Sequence, residues 1–438
     1  MGDGSGLATL VLEEPRGVGG KVEAPPSLFY TLYSIAASAL AGVVVEGGDW
    51  EATLARIFLA NLRRIGYCVD YSPRGGLRAE RGCLEEAGTT ISAPLRAECS
   101  PLLLYLSSIV AGLALEPGAQ VVIKASCSEL AEYAKPLASL LYQLGVRAWP
   151  SSFPRILVVE GSRLYTSSII RVPARSGLLA ATTLLASLAE RTPFRVLLPP
   201  GLARHSRVRQ AASILSSLGL RVEIVETAVT VEGRQVEAAR IEVPRGYAEA
   251  GLLAALSARG RVEVEGLPQT LGGEEELLAW LKLLGVNAER EESGVVVFEG
   301  GEPRSGIVDV SPTPQLFSPL LAAAAAMKTS ILVSGLADVR EEHPYAKRLE
   351  KLAGIVGAAG GRIEEKGSGL LVEFRNPARR VVDCSKTPQE ACSSLLAGLS
   401  ASPGGSRVVV KNIDPGYLSS RLLPSLYALG AVIREEGS

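Results

Sequence analysis

The chain has 438 residues, 45 Lys plus Arg against 46 Asp plus Glu, and a formal charge of −1; 47% of its residues are hydrophobic and 5% aromatic. This length exceeds one ordinary core and suits two large domains or several repeats. The charge balance excludes a generic nucleic-acid binder, which shows a basic excess, and 21% charged residues among plentiful apolar ones exclude a disordered chain.

The opening residues, MGDGSGLATLVLEEPRG, lack a basic segment followed by an apolar core, so no signal peptide is expected. The apolar runs Leu32 to Val45 and Leu316 to Met327 are shorter than the roughly 18–20 residues a membrane-spanning helix needs. A cytoplasmic protein with no membrane partner is therefore expected. The sequence predicts a short strand over Leu7 to Leu12, with no helix of its own before the repeats begin. That strand is expected to pair with the C-terminal half, giving a second crossing between domains near Gly19 to Lys21.

From there, an outer helix with a charged face, a glycine stop and a strand recur six times. The stops are Gly66, Gly145, Gly219, Gly285, Gly360 and Gly430, separated by 79, 74, 66, 75 and 70 residues. Glycine past the last helical turn adopts the left-handed conformation with no Cβ penalty. Each period also contains a helix apolar nearly all round, from LFYTLYSIAASALAG at Leu28 to EACSSLLAGLSAS at Glu390, and such helices are buried. Each period thus reads as strand, buried helix, strand, outer helix, strand. The fold class is α/β: two similar domains, each of three βαβαβ-type units. A junction near Ile241 to Pro244 divides them into residues 1–21 with 243–438, and residues 22–242. A cleft between two such domains is a usual ligand site.

The six cysteines (Cys68, Cys83, Cys99, Cys127, Cys384 and Cys392) contain no CxxC pair and no metal spacing with His205 or His343. Buried reduced thiols are expected, and no zinc site. No G-x-G-x-x-G or Walker loop is present, so no nucleotide or other cofactor is expected. The Arg- and Leu-rich, Gln- and His-poor composition is compatible with a thermophile.

The segments VEAPPSLFYTLYSIAASALAG (Val22–Gly42), GGDWEATLARIFLANLRRIG, VEVEGL, SPTPQLFSPLLAAAAA and KRLEKLAGIVGAAGGRIEE together resemble the EPSP synthase (3-phosphoshikimate 1-carboxyvinyltransferase) family of enolpyruvyl transferases, over nearly the whole chain. The resemblance implies the family's inside-out α/β barrel. It also implies the family's activity, carboxyvinyl transfer from phosphoenolpyruvate to shikimate 3-phosphate in aromatic amino acid biosynthesis. Both substrates are multiply anionic, so Lys and Arg are expected around them, with a carboxylate and a lysine for proton transfer.

Position by position, the family's charges are replaced. In the opening motif, Leu28 stands for the lysine, Phe29 for the second serine and Tyr33 for the arginine, while Ser27, Tyr30 and Thr31 persist. In the G-N-x-G-T-x-x-R segment, Cys99 stands for the Asn, Pro101 for the Gly, Leu102 for the Thr and Tyr105 for the Arg. Glu132 reverses the next arginine. Arg175-Ser176-Gly177 stands for Ser-Ser-Gln. Gln315, after Pro314, stands for the proton-transfer Asp. Pro344 to Arg348 stands for Lys-Glu-x-Asp-Arg, keeping only Arg348, and Thr387-Pro388-Gln389 stands for Asp-His-Arg. The C-terminal Lys-Ser-Phe-Pro segment has no counterpart in Tyr417 to Leu423.

The candidate ligand-binding residues are Ser27, Ser176, Arg348, Gln315 and Gln389, each with a plainer reading. Ser176 reads equally as a helix cap, Arg348 as a solvated helix face, and the two glutamines as polar helix starts. The cluster Arg204, His205, Arg207 and Arg209 is either an anion receptor or, more often for such a run, a solvated helix face. Nothing in sequence pairs with His205 as a catalytic base. No catalytic residue is assigned, since glutamine cannot exchange a proton near neutral pH. Two functional classes remain. One is an enzyme, a diverged EPSP synthase or a relative with an altered substrate. The other is an inactive paralogue acting as a ligand sensor or assembly partner. In either case the expected partner is a small anionic or polyol ligand between the domains, with the protein a monomer.

Overall fold

The computed structural model describes residues 7–15, 17–72, 76–83, 93–151, 155–161, 168–189, 193–233, 236, 240–269, 275–347, 349–375, 381–385, 389–401 and 407–436. The α/β reading holds, as six four-stranded sheets alternating with helices. The chain forms two compact units. The terminal unit comprises Met1–Ser27, Glu51–Thr53 and Arg245–Ser438, and the central unit Leu28–Trp50 and Leu54–Pro244.

The helices apolar all round are the buried ones: Leu28–Ala41, Pro101–Ala114 and Gly177–Ala186 in the central unit, and Tyr247–Ala254, Phe317–Met327 and Gln389–Ala401 in the terminal unit. Four of them come after an edge strand and lead into a second strand parallel to that edge, as in Ile169↔Arg195 and Gly306↔Ile331. Leu28–Ala41 and Tyr247–Ala254 lead instead from the edge strand of one sheet into a strand of another. The outer helix then returns, and all six stop glycines take positive φ, between 74° and 93°.

After the stop the structure departs from βαβαβ. In the first five units two antiparallel strands come after the outer helix, not one, as in Tyr67–Ser72 with Gly76–Arg81 and Arg221–Val225 with Ala228–Glu232. The extra strand fills the interior of each sheet. In the sixth unit that place is taken by the N-terminal strand Ala8–Glu13, paired on one side with Val408–Ile413 and on the other with Val432–Glu435. The strand Val18–Glu23 runs parallel to Gly260–Glu265 and supplies the edge of another sheet in the same unit. In the fifth unit two helices, Leu336–Glu342 and Leu349–Ala358, replace the single outer one.

The expectation of reduced cysteines is overturned: all six are paired, as Cys68–Cys83, Cys99–Cys127 and Cys384–Cys392, with Cα separations of 5.1, 5.3 and 6.2 Å. The first closes a hairpin, the second ties two strand ends together, and the third joins a strand end to the next helix. None of these proximities is visible as a short cysteine spacing. Disulfides at this density belong to oxidising compartments or to intracellular proteins of hyperthermophiles. No helix among the described residues is long and apolar enough to cross a membrane.

Candidate active site

In the central unit, most of the positions compared with the family's motifs lie near the N-terminal ends of the buried helices, and Glu132 lies on the outer helix Ala131–Gln143. On Leu28–Ala41, Leu28 and Tyr33 are fully buried in the core. Phe29 is half-buried, and the Arg207 guanidinium stacks 3.3 Å from its ring centroid. Arg207 is wholly buried and donates to Gln210 Oε1 at 3.1 Å. Burial raises the Tyr30 hydroxyl above its ordinary pKa, against a long contact with Ser213 Oγ at 3.5 Å.

The run around His205 is therefore not a solvated face. Arg204 and Arg209 are exposed, whereas His205 and Arg207 point inward. His205 caps the helix Ser206–Ser217: its Nδ1 accepts from the Arg207 backbone N–H at 3.2 Å, so that nitrogen carries no proton. Its ring lies over Gly177, where a Cβ would come within 2.5 Å of Nε2. Ser176 caps the helix Gly177–Ala186, its hydroxyl accepting from Leu179 N at 3.0 Å. Ser100 does the same for Pro101–Ala114.

Tyr105, buried at the family's arginine position, packs edge-on against Tyr133, with centroids 6.2 Å apart and planes at 61°. Glu132, one residue from Tyr133, is exposed. Cys99, at the Asn position, is tied to Cys127, and the buried Glu129 accepts from Ser128 Oγ at 3.1 Å beside them.

In the terminal unit, Gln315 is buried in the turn Pro314–Leu316 that starts the helix Phe317–Met327. Beside it lies a group the sequence did not flag. His343, 1% exposed, places Nε2 2.9 Å from the Pro314 carbonyl and Nδ1 2.8 Å from Glu390 Oε1, the latter outside the linear geometry of a good hydrogen bond. Ser318 Oγ donates to the same Glu390 oxygen at 3.1 Å. A carbonyl and a carboxylate both accept, so the imidazolium, with a proton on each nitrogen, matches both neighbours. Burial alone would depress His343. The Glu390 charge and hydrogen bond, the Glu342 charge and the Pro314 carbonyl outweigh it and raise the imidazole above its ordinary value. With Glu342 also buried, two carboxylates face one cation.

Gln389 clamps backbone: Nε2 donates to Asn412 O at 2.9 Å and Oε1 accepts from Asp414 N at 2.7 Å. Asn412 Nδ2 donates to Asp383, and this bond, with those from Ser385, holds the Asp383 carboxyl below the usual range. Ser27 is buried as the last residue of the terminal unit's first segment. Arg348, Thr387, Pro388 and the side chain of Pro344 lie outside the described residues.

Cations from unflagged positions do meet here. Arg245 pairs with Glu23 Oε1, and Arg421 Nη1 lies 3.5 Å from Glu23 Oε2. These residues are 222 and 398 positions from Glu23 in sequence, so no motif links them. Arg245 Nη1 is buried with no acceptor among the described residues.

The sequence profile of the family described as EPSP synthase (3-phosphoshikimate 1-carboxyvinyltransferase) matches residues 135–414. A 3-phosphoshikimate 1-carboxyvinyltransferase from Methanothermobacter thermautotrophicus is 25% identical over 373 residues, 83% of this chain and 86% of the relative. One from Methanoculleus marisnigri is 25% identical over 364 residues, 80% and 81% of the two chains. In fold, the chain is similar to EPSP synthase from Acinetobacter baumannii, at TM-score 0.67 and 17% identity over 98% of this chain and 100% of that one. It is similar also to the enolpyruvyl transferase NikO from Streptomyces tendae, at TM-score 0.68 and 15% identity over 99% of each. With the profile spanning well over half its length and both solved folds matching throughout, this chain belongs to the EPSP synthase family.

Proposed function

We propose that this chain is an EPSP synthase-like protein that keeps the family's fold but does not run the carboxyvinyl transfer of aromatic amino acid biosynthesis at an enzyme's ordinary rate. The observation that carries the reading is the terminal-unit cluster. Gln315 stands at the position of the proton-transfer carboxylate, and the neighbouring cation, His343, is neutralised by Glu390 and Glu342. Phosphoenolpyruvate is an anion, and a buried site with two carboxylates against one imidazolium repels it. In the central unit, Tyr105 and Tyr133 fill one arginine position, and Arg207 stacks on Phe29 inside the unit. Each missing charge-assisted hydrogen bond costs about 1.5–3 kcal/mol, so several together leave roughly millimolar affinity or none. Loss of proton transfer costs a further factor of about 10²–10⁴.

The test is phosphate release from phosphoenolpyruvate and shikimate 3-phosphate by the purified chain. The expected rate is at least about 10⁴-fold below the ~10 s⁻¹ typical of enzymes. Turnover within about a hundredfold of that value would overturn the proposal.

Arg245 and Arg421 favour a second reading, an enzyme whose anion site is refilled from shifted positions. Both are occupied by Glu23, so this reading requires Glu23 to leave. Calorimetry of Glu23→Gln with phosphoenolpyruvate separates the two: heat absent from the parent and present in the variant supports the second.

A further inference from the structure

The central unit holds a cavity of about 70 Å³. Ile123 and Leu157 wall it from the paired strands Gln120–Ala125 and Ile156–Glu160, and Leu104 from the buried helix Pro101–Ala114. Leu130 closes another side from the turn Ser128–Leu130, which leads into the outer helix Ala131–Gln143. These four side chains are at most 3% exposed. The outer helix contributes only Ala131 and Ala134 to the lining, and the strand ends on Ala125. The space exists because alanines stand where longer side chains would close it. Protein interiors leave few voids larger than a water molecule, and an apolar-walled cavity that opens to the surface favours an apolar guest.

The mouth carries a charge. Among the described residues Arg155 is the one ionisable side chain on the lining, and it is exposed. The other polar side chain there is the partly exposed Ser151. Arg155 takes φ 71°, a left-handed backbone that favours glycine or asparagine over arginine. Its carbonyl accepts from Ala125 N at 2.9 Å, and its Nη1 donates to the Ser126 carbonyl at 3.1 Å. Backbone and guanidinium are thus both tied to the same strand end, beside the cavity. The guanidinium keeps further N–H donors in a fork that matches a carboxylate, and no carboxylate among the described residues pairs with it.

We propose that this cavity is a binding site for a short branched aliphatic monocarboxylate, its alkyl end between Leu104, Ile123 and Leu157 and its carboxylate on Arg155. Size selects the guest: an apolar cavity of about 150 Å³ takes a benzene ring, so half that space takes an alkyl group of about four carbons. Charge selects the other end. An amino acid with the same alkyl group is excluded, because its ammonium would lie beside the guanidinium and meet no acidic side chain on the lining. Polyols are excluded because the walls offer their hydroxyls no partner. The proposal stands whether or not the chain runs carboxyvinyl transfer.

The test is titration of the full, disulfide-bonded chain with 3-methylbutanoate, followed by NMR of its Ile and Leu methyl groups. The expected result is saturable binding with a roughly millimolar dissociation constant and shifts concentrated on Leu104, Ile123, Leu130 and Leu157. 3-Methylbutanamide keeps the shape and loses the charge, so it should bind at least about tenfold more weakly, as should leucine. Arg155→Gln should weaken the acid by the same factor and bring it level with the amide. Ala131 is exposed, so Ala131→Phe covers the mouth without disturbing the core; it should abolish binding at an unchanged thermal midpoint. The absence of shifts at about ten times the expected constant overturns the proposal. Shifts centred elsewhere, equal binding of acid and amide, or binding that survives Ala131→Phe do the same. Acid and amide are compared on the parent chain, so the charge argument is tested even if Arg155→Gln does not fold.

Discussion

Restoring even one methyl group at Gly177, where the family carries a longer side chain, should destabilise the central unit because His205 occupies that space. A Cβ there would stand 2.5 Å from His205 Nε2, whereas ordinary contact begins at 3.4 Å, so the ring must retreat by about 1 Å. It has little room to do so. His205 is 3% exposed, and its Nδ1 is engaged by the Arg207 N–H. Overpacking of this kind costs about 1–3 kcal/mol. His205→Ala alone should cost about 1 kcal/mol for the lost cap and roughly 2 more for the cavity. In the double variant the clash vanishes, so Gly177→Ala should become nearly free and the pair should miss additivity by roughly 2 kcal/mol. The assay is urea unfolding, monitored by tryptophan fluorescence in a Trp280→Phe background, which leaves Trp50 and Trp149 to report on the central unit. Costs that add to within about 0.5 kcal/mol would show that His205 does not hold position 177 to glycine.

Other expectations concern charge and cross-links. Because His343 titrates higher folded than unfolded, its contribution to stability is full below its ordinary pKa of about 6.5 and is lost as pH rises through the raised value. The urea midpoint of the terminal unit should therefore fall from pH 6 to pH 8.5, and His343→Gln should flatten that slope; an unchanged slope refutes the imidazolium assignment. Replacing Cys99 and Cys127 together by Ser should cost about 3.5 kcal/mol from the loop-closure entropy of 28 residues, read as a lowered thermal midpoint under oxidising conditions. Arg207→Lys keeps the charge but loses the planar stack on Phe29 and should cost about 1–2 kcal/mol in the same urea assay.

The features legible in sequence were those enforced by local chemistry. A left-handed helix stop excludes a Cβ at little cost only in glycine, so Gly66 through Gly430 announced themselves, and helices apolar on every side had to be inside. The second strand of each hairpin escaped notice because segments such as GLRAER alternate with charge and look like loop. Burial of Arg207 was hidden because a run of arginines ordinarily faces water; the Phe29 ring that receives it lies far away in sequence. Ser176 caps a helix and Gln389 holds backbone at Asn412 and Asp414, contacts that only the fold reveals. His343–Glu390, Arg245–Glu23–Arg421 and Cys99–Cys127–Glu129 depend on contacts between distant segments, which no local pattern encodes.

The strand Ala8–Glu13 has a consequence for how the molecule comes into being. It leaves the ribosome ahead of the whole central unit, yet its partners are Val408–Ile413 and Val432–Glu435, which come after that unit. At ~5–20 residues per second, its Leu10, Val11 and Leu12 spend on the order of 20–80 s without the neighbours that bury them. The central unit, almost continuous from Leu28 to Pro244, has all its strands long before then. Birth order therefore favours an intermediate with a finished central unit and an unguarded apolar N-terminal edge, the point at which a nascent chain of this design is most open to capture by a chaperone or by another copy of itself.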